Sequence, residues 1–136
     1  MEIDAIKIAI TRKLYFTFGD SYEIYTEQVP QGFKEPCFFV QFLNLEEANR
    51  LGQQWRINTL FNVQYFGSNA SNMTLQVQRA LDMVELLNGQ FMRSTAKNSE
   101  VVDGVAHNFM NFNFTLREVE AENFMESVEF AIRKGG

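Results

Sequence analysis

The sequence predicts a two-layer α+β fold, an antiparallel β-sheet packed by two helices, within one domain spanning residues 1–136. Three observations predict it. Ile3, Ile6, Ile10 and Leu14 recur at three- and four-residue spacing, the stripe of an amphipathic helix. Residues 55–65 and 106–116 alternate apolar with amide side chains, as a strand with one wet face does. The chain of 136 residues is long enough to bury roughly two-thirds of its unfolded surface in one core, and no second domain is needed.

The first helix is read over residues 2–18, and Gly19-Asp20 ends it. Residues 22–29 are β-branched and aromatic, residues 30–35 form a turn, and residues 37–43 a second strand, so VPQGFKEPCFFV (residues 29–40) reads as a hairpin connection. Pro30 fixes its own φ at the second position of a turn, and Gly32 follows in conformations other residues avoid. Pro36 biases Glu35 to extended geometry. Neither proline donates a ladder hydrogen bond, which places both at strand ends.

In the second strand both alternating sets are apolar: Cys37, Phe39 and Leu43 on one face, Phe38, Val40 and Phe42 on the other. Such a strand must be covered twice. The second cover is either a neighbouring subunit or the chain's own small core.

Residues 44–52 read as a polar loop, or one helical turn, at the tip of a long hairpin. In the third strand Trp55, Ile57, Phe61, Val63 and Tyr65 share one face, and Arg56, Asn58, Asn62 and Gln64 the other. Residues 67–70 break it. Ser71 or Asn72 then caps a second helix that turns Met73, Val77, Leu81 and Val84 inward and stops at Asn88-Gly89.

Residues 91–103 carry the weak pattern of an irregular strand, closed by Gly104. Met110, Phe112, Phe114 and Leu116 next alternate with Asn111, Asn113 and Thr115. After an acidic bend at residues 118–122, Val128, Phe130 and Ile132 alternate with Glu129, Ala131 and Arg133 as a further C-terminal strand, although Phe124, Val128 and Ile132 would also suit a helix. The expected order is helix, three strands, helix, two strands, with that last piece as an addition.

Composition narrows the function. The net charge is −5, the pI is near 4.9, and the longest basic runs are the pairs Arg12-Lys13 and Arg133-Lys134. A phosphate-neutralising surface of the kind that drives nucleic-acid affinity is not expected. The single cysteine, Cys37, excludes an internal disulfide and offers no metal cluster. The start of the chain, with Glu2 and Asp4, does not read as a signal peptide, and no segment reaches the ~18 apolar residues of a membrane helix.

The search for chemistry yields no catalytic, cofactor-binding or metal-binding residue. His107, the only histidine, has no nucleophile or carboxylate converging on it. Cys37 reads as a buried small apolar side chain. Glu46-Glu47 and the group Glu118, Glu120, Glu122, Glu126 and Glu129 lack the spacing and glycine of a calcium loop, and the turns at Gly32 and Gly67 lack a phosphate-binding pattern. A small enzyme or ligand-binding domain using Cys37, His107 or the glutamates is the remote alternative.

Three stretches carry a family likeness. IYTEQVPQGFKEPCFFV (residues 24–40), WRINTLFNVQYF (residues 55–66) and FNFTLREVE (residues 112–120) resemble the phage tail terminator family, small proteins encoded in prophages of Gram-positive bacteria, with QGFKEPCF (residues 31–38) the most specific part. The resemblance implies a non-enzymatic virion protein, assembled in the host cytoplasm, that forms a ring, typically hexameric, on the head-proximal end of the tail tube. There it stops tube growth and presents a docking surface for the neck.

The implied partners are further copies of the chain, the tail tube protein, a neck or connector protein, and a sheath protein where the tail is contractile. DNA would pass through the lumen without specific binding, which suits an acidic chain. No membrane, cofactor or catalytic residue is implied. The competing position in the same particle is a head–tail connector or tail completion protein. Ring closure would be heterologous, and Phe33, Phe38, Val40, Phe42 and Trp55 are the candidates for the subunit interface or the adjoining core.

Overall fold

The computed structural model describes residues 3–117, and the readings made over residues 118–132 lie outside them. Helix α1 (Ile3–Phe18) forms on its predicted stripe, burying Ile6, Ala9, Ile10 and Leu14. It ends where Gly19 takes a φ of 89° and donates its amide to the Tyr15 carbonyl, a conformation that costs glycine little.

Six strands follow in one sheet: β1 (Glu23–Tyr25), β2 (Cys37–Leu51), β3 (Gln54–Phe66), β4 (Met83–Glu85), β5 (Phe91–Val102) and β6 (Val105–Arg117), with helix α2 (Ala70–Ala80) between β3 and β4. Their spatial order is β1-β2-β3-β6-β5-β4. Every neighbouring pair is antiparallel except β1 with β2, which is parallel. The fold is the expected α+β arrangement of two helices on a sheet, in the order α-β-β-β-α-β-β-β.

Four local readings change. The expected hairpin between the first two strands is absent, because β1 runs parallel to β2 and is only three residues long. Residues 26–36 instead return the chain to the same end of the sheet, with a cis peptide at Glu35–Pro36. The expected polar loop at residues 44–52 is strand almost throughout: β2 pairs with β3 as far as Leu51 opposite Gln54, leaving Gly52 and Gln53 as the turn.

The second helix starts and stops earlier than read. Its N-cap is Asn69, in left-handed geometry with no side-chain cap bond, rather than Ser71 or Asn72. It ends at Ala80. Beyond it Val84 and Leu86 are buried while Met83, Glu85 and Leu87 are exposed, a period of two, and Asn88-Gly89 falls in the turn of the β4–β5 hairpin rather than at a helix terminus.

Both helices lie on one face of the curled sheet. Helix α2 packs on β3, β5 and β6, and α1 packs on α2, β2 and β4. Phe42, Phe61 and Phe112 cross the middle of the core in sequence, with ring centroids 5.5 and 5.9 Å apart. Those spacings suit tilted and edge-to-face aromatic packing.

A polar relay also runs from the surface into this interior. Gln78 of α2 donates to Ser99 Oγ, Ser99 donates to Asn108 Oδ1, and Asn108 donates to the Val63 carbonyl, at 2.9, 2.8 and 2.9 Å. It ties α2, β5, β6 and β3 together. Gln78 also donates to the carbonyls of Asn98 and Phe109, a register pair just past the irregularity in β5 where Ala96 has a φ of 49°.

Candidate functional site

The stretch QGFKEPCF closes one end of the sheet. Phe33 stacks edge-on against Phe66, with centroids 4.9 Å apart, and Phe66 is the register partner of Cys37. Pro36 lies against Gly67, where an added Cβ would stand 3.2 Å from the proline Cβ. Cys37 is completely buried. The strand with two apolar faces is therefore covered at its start by the chain's own loop on one side and by the helices on the other.

The five candidate interface residues do not form one patch. Phe38 and Val40 are fully buried in the core. Phe38 sits among Phe18, Tyr22 and Tyr65, with centroids 5.2 to 5.5 Å away. Phe42 is partly buried against Phe61. Phe33 and Trp55 are half-buried at opposite ends of β3, about 36 Å apart at roughly 3.3 Å per residue.

Past the phenylalanine row, β2 and β3 continue together with β6 as an arm. From Phe61 to Gln54 it extends about 23 Å, at roughly 3.3 Å per residue. Leu43 bulges from the ladder. On the helix-facing side, Leu45 is 47% exposed and Trp55 is half-buried opposite Leu116. The opposite side is amide-rich, with Asn111 bonded to Asn58 and Asn113 to Thr95.

A second surface lies along α1. Tyr15 is 56% exposed and Phe16 88%, with Ile8 two turns back. Two adjoining clefts of about 520 and 400 Å³ run between this helix and residues 20–27, sharing Thr11 and Arg12 in their walls. Strand β1 forms the far wall and is the first strand of the sheet, so among the described residues one of its edges carries no ladder partner. The sequence signal for this surface was present: Ile8, Tyr15 and Phe16 fall off the buried stripe, on the side of the helix where polar residues belong.

The chemistry-bearing residues are dispersed. Burial, then the carboxylates of Glu35 and Glu23, hold the Cys37 thiol above its ordinary pKa and so protonated. Its reactivity is low for that reason. His107 is half-buried; its Nδ1 meets the Asn62 amide at 3.2 Å, and its ring stacks on Phe109. Asp82 holds Lys97 at 2.7 Å and Arg93 at 3.2 Å. Glu118 to Glu129 lie outside the described residues. Among the described residues no three His, Cys, Asp or Glu side chains are grouped to hold a metal ion, and no helix is long and apolar enough to cross a membrane.

The geometry is that of a packed core bearing two outward surfaces, a sheet arm and a helix–strand groove. In comparison with known proteins, the family model described as phage tail terminator protein matches residues 5–123, a span that takes in nearly all of α1 and every later element. No curated protein matches the chain.

Proposed function

The chain belongs to the phage tail terminator family, a structural component of the phage tail, and on that footing we propose that it caps the head-proximal end of the tail tube as a ring. The ring, hexameric in this reading, ends tube polymerisation and offers the neck its docking surface. The subunits are copies of this chain; the tube protein lies below, the neck or connector protein above, and a sheath protein alongside where the tail contracts.

The observation that carries this reading is the family match across residues 5–123. The arm supports it physically: it projects about 23 Å beyond the phenylalanine row, at roughly 3.3 Å per residue, and ends in a tight turn at Gly52-Gln53. A subunit built this way can reach a neighbour. The net charge of −5 suits a lumen through which DNA moves without being held. Assembly takes place in the host cytoplasm.

The test is deletion of the gene in its phage or prophage, followed by negative-stain electron microscopy of the particles. Overlong or ragged tails without heads are the expected result. Tails of normal length beside full, unattached heads would place the protein in the connector instead, and normal particles would overturn any role in the tail end.

A further inference from the structure

We propose that neighbouring copies join by strand addition along the arm, the free edge of β2 at residues 44–47 in one copy lying parallel to the free edge of β6 at residues 113–117 in the next. The inference rests on the ring reading above and names the contact that would close the ring.

The arm is open on both sides. Strand β1 covers β2 only at Cys37 to Phe39, and β5 follows β6 only as far as Phe112. Beyond those rungs, neither outer edge of the arm has a ladder partner among the described residues. Bare backbone edges invite pairing with another chain, and a closed ring of strands removes them. Between the irregularities at Leu43 and Ala48, the β2 edge offers a regular stretch, Asn44 to Glu47, exposed throughout.

Charge selects which edges meet. The β2 stretch carries Glu46 and Glu47 and no cation, whereas the β6 stretch ends in Arg117 and holds no carboxylate. Two β2 edges brought together would set glutamates against glutamates, which cross-strand pairing penalises; β2 against β6 joins opposite charges. Unlike edges make the contact heterologous. It therefore repeats from copy to copy and ends only when the ring closes.

Direction and face fix the register. Strands β2 and β6 both run antiparallel to β3, so they point the same way, and arms set side by side meet in parallel. Leu45, 47% exposed, and Leu116, half-buried, both lie on the helix-facing side. With Leu45 beside Leu116 of the next copy, Asn44 falls beside Thr115 and Glu46 beside Arg117 on the opposite side.

Within one chain Asn44 and Thr115 are far apart. Asn44 is level with Leu60 and Asn111, two strand spacings across, and Thr115 lies four residues further along β6, which makes about 16 Å between the two. A disulfide needs Cα atoms about 5.5 Å apart, so cysteines at these positions can join only different copies.

The experiment uses full-length chains bearing Asn44→Cys or Thr115→Cys, with buried Cys37 left in place and the native chain as control. The two variants are mixed, assembled on tail tubes, oxidised with copper phenanthroline and weighed intact. The expected product is a disulfide dimer joining one Asn44→Cys chain to one Thr115→Cys chain, and the double variant should give a ladder of linked copies. Glu46→Arg, an exposed substitution that should keep the native thermal midpoint, should lose its rings, and adding Arg117→Glu should restore them.

Rings visible on the tubes without the mixed dimer would overturn the proposal and leave the ring reading standing. So would dimers formed by Asn44→Cys alone, the mark of like edges meeting, or rings undiminished in Glu46→Arg. Tubes carrying no ring of the native chain would overturn both.

Discussion

The Tyr65 hydroxyl occupies the space that a β-carbon on Gly67 would need, 2.5 Å from its ideal position, and donates at 2.8 Å to the Ser68 carbonyl. Gly67→Ala therefore has to displace the ring that closes the Phe18–Tyr22–Phe38 cluster. The expected loss is about 1–3 kcal/mol, read from the urea midpoint. Tyr65→Phe removes the nearest clashing atom, so the double variant should lose less than the sum of the single losses. Strict additivity would sink the account.

The relay from Gln78 through Ser99 and Asn108 to Val63 predicts a large effect from a small change. Asn108 is completely buried and uses both ends of its amide. Asn108→Ala removes both bonds of the buried amide and opens a cavity, at a cost of about 2–4 kcal/mol. Ser99→Ala breaks the same relay nearer the surface and should cost less. Chemical denaturation of the two variants checks the order; a larger loss for Ser99→Ala would contradict it.

How much of this was legible in the sequence varies by element. Helix α1 and strand β3 follow from local periodicity because each buries one face, so the pattern and the structure carry the same information. Strand β2 beyond Phe42 does not. Its Glu46, Glu47 and Ala48 favour a helix or loop locally, and only pairing with β3 makes them strand.

The C-terminal end of helix α2 is misplaced in the sequence reading for a related reason. Met73, Val77, Leu81 and Val84 suit one helical face, but the chain turns at Asp82, whose carbonyl takes the Ser94 amide at 2.9 Å, a partner twelve residues away. The direction of β1 has no local signature at all. Asn108 hides between Ala106 and Met110 in an apolar register, because its partners come from β3 and β5. Apolar bulk alone does not separate Phe38 in the core from Phe16 in solvent.

Asp82 gives a pH dependence whose sign is fixed. The hydrogen bond from Lys97, then the Lys97 and Arg93 charges, hold its carboxyl below the ordinary value of 3.8, with partial desolvation opposing them. A carboxyl whose folded pKa is depressed adds stability above its unfolded pKa and loses it as pH falls through the folded value. The native chain should thus exceed Asp82→Asn in thermal midpoint at neutral pH, and the two should converge in acid. The pair is solvent-exposed, so the gap should be small and should shrink with added salt. A gap that widens on acidification would show that the sign is wrong.

The last prediction separates folding from assembly. Phe38 touches Phe18, Tyr22 and Tyr65 and has no exposed surface, so Phe38→Asp places an unpaired carboxylate in the core. The loss should be about 5 kcal/mol or more, comparable with the whole stability of a small domain, and the variant should not fold. Leu45 lies on the arm, 47% exposed and away from that cluster. Leu45→Asp should leave the thermal midpoint within about 2 °C of native, since exposed substitutions rarely move stability by more than about 0.5 kcal/mol. If the arm is what one subunit lays against the next, the same substitution should fail to restore normal tail ends when supplied to a deletion strain. A folded Leu45→Asp chain that restores them fully would remove the arm from the assembly surface and leave the α1–β1 groove as the contact to pursue.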